Sequence, residues 1–167
     1  MSLTDYLLTA FLIFAVVRQV RPKRLTALQL AWPLALVVLA GLKYLRAVPT
    51  GGNDILFVAL MVWVGLALGT ACGLTTRVTG APDGLRAQAG PAAIVFWLVG
   101  VSGRAAFALY AENGGFRTVV TWSRIWHITT GSAWADALLL MAFGEVLART
   151  LVLAARARSV ARTPLPA

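Results

Sequence analysis

Residues 54–74 read DILFVALMVWVGLALGTACGL, and this stretch decides the fold. After Asp54 it contains no charged residue and no proline. A helix rises about 1.5 Å per residue, so roughly 20 such residues cross a hydrocarbon core of about 30 Å. The stretch is therefore read as a transmembrane helix. Within it, Gly65, Gly69 and Gly73 recur at every fourth position and fall on one helical face. Small residues at that spacing let two helix backbones approach closely, a main source of packing energy in lipid. The partner is expected to be another helix of this chain, with a second copy of the chain as the alternative.

Outward from this helix, four further apolar segments follow the same logic. They are roughly residues 3–17, 25–42, 91–111 and 132–155. The first is short for a span. The second carries Pro33 near its middle, which a membrane helix tolerates as a kink. The expected fold is an all-α integral membrane protein. It is a five-helix transmembrane bundle over residues 1–158, with a disordered tail over 159–167. The whole chain agrees, being 59% hydrophobic and 13% charged with a mean hydropathy of +0.79. Average soluble domains are about 45–50% apolar and about 25% charged. An ordinary soluble domain, a disordered chain and a nucleic-acid-binding module are excluded on these grounds.

The net charge of +9 then reads as a topology signal. Arg18, Arg21, Lys23, Arg24, Arg77, Arg86, Arg156, Arg158 and Arg162 fall on alternate loops that share one side. Lys43, Arg46, Arg117 and Arg124 occupy the other. The positive-inside rule places the chain in the inner, cytoplasmic membrane with its N-terminus outside and its C-terminus in the cytoplasm. The acids Asp5, Asp54, Glu112 and Asp136 fall near the outer ends of helices. They are read either as solvated helix ends or as the rim of a polar vestibule.

Two loops have distinct texture. Pro82-Asp83-Gly84, flanked by residues 75–78 and 85–88, predicts a short cytoplasmic β-hairpin or a tight turn. Residues 112–131 mix Phe116, Trp122, Ile125 and Trp126 with Arg117, Arg124 and His127. That mixture suits an outer interfacial helix lying at headgroup level. Trp122, Arg124, Trp126 and His127 are its candidate functional residues, as an aromatic belt or a lid.

Arg104 lies inside the fourth segment and Arg149 inside the fifth. A charge at bilayer depth costs about 2.5–3.5 kcal/mol on insertion scales, so it is normally paired. Counting depth along each helix favours Asp136 as the partner of Arg104, with Glu145 within reach of a long side chain. Glu145 and Arg149 are one turn apart and are expected to neutralise each other. Asp136 and Glu145 are about 180° apart around the helix unless Gly144 breaks it. Arg104, Asp136, Glu145 and Arg149 form the candidate polar site. The ions either hold the bundle together or bind a headgroup, an anion or a proton.

Cys72 is the only cysteine and His127 the only histidine, which removes dithiol chemistry and a zinc-ligand cluster. No nucleotide-binding, hydrolase or metalloprotease motif is present. No metal and no cofactor is expected, and Cys72 is read as a packing residue. Membrane lipids are the expected partners, with a protein partner or homo-oligomer through the glycine face.

The glycine series, then Thr75-Thr76, Asp83-Gly84, the span with Arg104, and a last helix with Phe143-Gly144 and Arg149 resemble the CcdC-like small multi-pass membrane proteins. The basic run over residues 18–24, after a short first helix, is similar to that family's first loop. The resemblance implies a small multi-helix membrane protein in the setting of cytochrome c biogenesis, without assigning an activity. Three roles follow as expectations. The first is a non-catalytic accessory or binding component of a membrane complex or biogenesis pathway. The second is an intramembrane enzyme on a lipid or isoprenoid-like substrate, with Asp136 or Glu145 as acid/base and Arg104 as charge stabiliser. The third is a small proton-coupled transporter or channel.

Overall fold

A computed structural model describes residues 23–24, 26, 32–35, 38–39, 42, 51–81, 84–129 and 131–162. In chain order the elements are β1 (Lys23–Arg24), α1 (Asp54–Thr75), β2 (Thr76–Ala81), β3 (Gly84–Ala89), α2 (Pro91–Tyr110), α3 (Phe116–Ile125) and α4 (Ser132–Arg162). A π-turn, Ala111–Gly115, joins α2 to α3. Four helices are thus delimited among the described residues. Three of the helical stretches are long and apolar enough to cross a membrane. The expected first segment, residues 3–17, lies outside the described residues, as does much of residues 25–42. Within the latter, residues 32–35, 38–39 and 42 are helical. The last helix runs through residues 159–162, which the sequence pattern places in the tail.

Helices α1 and α4 run parallel in tight contact. A Cβ on Gly65 would fall on the Met141 carbonyl, and one on Gly69 on the Glu145 carbonyl. One on Gly73 would meet Val152 at 2.8 Å and the Arg149 carbonyl at 3.4 Å. Both sequences climb together by four residues from the first rung to the second, which defines the parallel pairing. From α4, Gly144 returns the close approach, its Cβ position lying 3.1 Å from the Val62 carbonyl. Gly144 therefore packs a continuous helix and does not break it. Helix α2 runs antiparallel to both, with Gly100 against Glu145 and Phe107 against Trp134.

Where α1 ends, its last carbonyls lack helical donors. The Thr75 hydroxyl donates to Ala71 O and the Thr76 hydroxyl to Cys72 O, each at 2.7 Å. Arg156 of α4 donates to the carbonyls of Gly73, Leu74 and Thr76. A cation at a helix C-terminus also opposes the helix dipole favourably. Strand β2 follows without a linker, and β2 and β3 form the expected antiparallel hairpin, Thr76 opposite Ala89 and Ala81 opposite Gly84. Gly90 then caps α2 and Pro91 opens it, a position where the missing N–H costs nothing.

The sheet has a third strand that the sequence pattern does not suggest. β1 pairs antiparallel with β3, Lys23 opposite Ala87 and Arg24 opposite Arg86, so β3 is central. Two basic loops expected on one side are therefore bonded to each other. Beneath the sheet, Cys72, Ala89 and Ala93 form a buried cluster with Ile94, Phe96 and Trp97 packed against it. The Cys72 thiol donates to Ala93 O at 3.3 Å, in keeping with a packing role.

Candidate functional site

The intramembrane ions come from α2 and α4. Arg104 Nη1 lies 2.8 Å from Glu145 Oε2, with the two side chains 21% and 7% exposed. Gly100, one turn before Arg104, gives the carboxylate its space: a Cβ there would meet Glu145 Oε2 at 2.6 Å. This corrects the pairing expected from depth, which favoured Asp136. Side chains on a helix lean toward its N-terminus. Arg104 therefore leans down toward Gly100, onto Glu145. Asp136 on α4 leans toward Ser132, the opposite way along the bundle. The direction of the side chains decides the pair, and depth of the Cα atoms does not.

Glu145 accepts from Arg104 across the helices, and Arg149 sits one turn along α4 with its own carbonyl against Gly73. Asp136 is buried at 8% exposure on α4, on the far side of that helix from Glu145. The two acids do not converge.

At the loop end of the bundle, Asp54 is fully buried. Its carboxylate accepts from the Thr129 backbone N–H at 2.8 Å and from the Thr129 hydroxyl at 2.9 Å. Asn53 adds its N–H to His127 O and its side-chain amide to Trp126 O, both at 3.0 Å. Asp54 is thus a latch between the start of α1 and the loop before α4. Of the four acids expected near outer helix ends, Glu112 is exposed as a solvated helix end would be, Asp54 and Asp136 are buried, and Asp5 lies outside the described residues. Hydrogen bonds to a charged acceptor contribute about 1.5–3 kcal/mol each. Asp54→Ala should lower unfolding stability in micelles by about 3 kcal/mol and open residues 126–131 to protease. Thr129→Val, which keeps the backbone bond, should cost less.

Helix α3 starts where Gly114 adopts φ +95° and Asn113 leaves helical geometry. Only a residue without a Cβ takes that φ freely, so α2 ends here and the chain turns. Val119, Val120 and Ser123 of α3 are partly buried, whereas Phe116, Arg117, Trp122, Arg124, Ile125 and Trp126 are exposed. His127 turns the chain with φ 54° and offers its backbone to α1; its side chain is exposed.

One residue with a central position escapes the sequence pattern. Trp134 stacks on Phe107 of α2 at 4.9 Å, tilts against Phe57 of α1 at 4.6 Å, and donates its indole N–H to Ser123 of α3 at 2.9 Å. It ties all four helices together. A tryptophan near the end of a span normally signals an interfacial belt, and only its aromatic neighbours reveal the joint.

Among the described residues no group of His, Cys, Asp and Glu could hold a metal ion. Comparison with protein-family models, curated proteins and solved structures gives no match.

Proposed function

We propose that this chain is a non-catalytic accessory or binding component of a membrane complex or biogenesis pathway. The reading extends to a five-span bundle in the cytoplasmic membrane, N-terminus outside, of the CcdC-like type, with the glycine stripe of α1 as its internal seam. The observation that carries it is the Arg104–Glu145 pair. Glu145 is walled by Gly100 and bound by Arg104, which supports a structural role for the two ions. The glycine face of α1 is spent on α4, which leaves the opposite face, with Leu56, Leu60, Trp63 and Leu74 exposed, toward lipid or a partner.

The enzyme alternative rests on Asp136, a carboxylate buried on α4. Intramembrane acids justify that alternative physically. Both readings meet in one experiment on the tagged full-length chain, extracted in mild detergent. The accessory role predicts a single partner recovered at fixed stoichiometry, retained in Arg104→Met/Glu145→Gln and lost in Trp63→Ala. A monodisperse, partner-free chain contradicts it. Activity on an isoprenoid or lipid substrate that disappears in Asp136→Asn would establish the alternative.

A further inference from the structure

We propose that the three-stranded sheet binds anionic phospholipid headgroups of the leaflet it adjoins. The register places its cations. Arg77 lies opposite Gln88 and Thr79 opposite Arg86, so these four residues share one face of the hairpin. All four are exposed. The alternate positions, Val78, Leu85 and Ala87, are partly buried, and Ala89 is buried in the cluster beneath. The sheet is therefore two-sided, apolar toward the bundle and basic outward.

Arg77 and Arg86 are diagonal neighbours across the ladder, a separation of about 7–8 Å. Two guanidiniums at that distance can share one phosphate with charge-assisted hydrogen bonds. The backbone of Arg24 aligns with Arg86 from the other side, which brings a third basic position to the same rung. Arg158, exposed near the end of α4, adds charge at this end of the bundle.

The depth is set by the connections. β2 begins at the residue after α1 ends, and a single residue, Gly90, separates β3 from α2. At about 3.3 Å per residue, Arg77 lies within roughly 7 Å of the helix end. The headgroup layer on each side of a bilayer is about 5–7 Å thick. Arg77 is thereby held at phosphate level in the leaflet beside it. The proposal rests on the membrane reading above.

The test uses the full chain reconstituted in bilayers with spin-labelled lipids, which report the lipids immobilised on protein. Phosphatidylglycerol should be preferred over phosphatidylcholine by at least about fivefold, the contribution of one basic residue near a charged surface. Arg77→Gln/Arg86→Gln should bring the two lipids to parity. Arg77→Lys/Arg86→Lys should keep the preference, and Arg117→Gln/Arg124→Gln should leave it unchanged. Rising salt should erase it for the unmutated chain, a readout that needs no variant to fold. Equal immobilisation of the two lipids, a preference that survives the double glutamine change, or a salt-independent one would overturn the proposal. Displacement by millimolar inorganic phosphate would also overturn it, because the site would then be one for a free anion. Failure of the membrane reading looks different: no immobilised lipid component of either kind.

Discussion

Arg104→Ala should be among the most destabilising single changes in this protein, costing about 3–5 kcal/mol of folding stability. The variant keeps Glu145 in a site that is almost fully closed, with Gly100 against its carboxylate and no arginine above it. Breaking a buried pair by removing one partner leaves an uncompensated charge, and that desolvation cost dominates the loss of attraction. Glu145 can relieve that cost by pulling α2 away from α4. The expected result in reversible unfolding from bicelles is a large loss of stability. Glu145→Gln should cost less, because Arg104 is the more exposed partner and its long stem can carry the guanidinium toward water.

The second large effect is expected at the glycine seam. Gly69→Ala should destabilise the bundle by about 3 kcal/mol, although alanine is the better helix former by about 1 kcal/mol. The new methyl would fall on the Glu145 carbonyl, and a backbone cannot rotate aside as a side chain can. The two helices must separate, which also strains the Arg104–Glu145 contact one layer away. Gly103 supplies the control. It lies in α2, exposed, with nothing within 4 Å of where its Cβ would be. Gly103→Ala should therefore raise stability by up to about 1 kcal/mol. Opposite signs for the same substitution separate packing from propensity. Equal effects at the two sites would mean that α1 and α4 are not in contact at Gly69.

Much of this architecture is legible from residue pattern. Three spans stand out because long uncharged stretches have one physical solution in lipid, and α1, α2 and α4 follow them within a few residues at the ends of α1 and α2. Asp83-Gly84 between alternating residues announces the hairpin, and the glycine series announces a close helix contact. Other features depend on information that a linear pattern lacks. β1 is two residues long, too short for any periodicity, and its pairing uses backbone groups that every residue carries. Asp54 looks like a solvated helix-end acid until Thr129, distant in sequence, folds over it. Depth counted along the helix axis misplaces the partner of Arg104. The lean of each side chain toward its own N-terminus shifts Arg104 and Asp136 in opposite directions between antiparallel helices.

The central claim is that Arg104 and Glu145 join α2 to α4. It is tested most directly by the coupling energy between Arg104 and Glu145 in a double-mutant cycle, from unfolding of the unmutated chain, Arg104→Met, Glu145→Gln and the combined variant in bicelles. A lock predicts a coupling of at least about 2 kcal/mol, with the combined variant more stable than Arg104→Met alone. A coupling within about 0.5 kcal/mol of zero would contradict the account, because the two ions would then contribute to the fold independently.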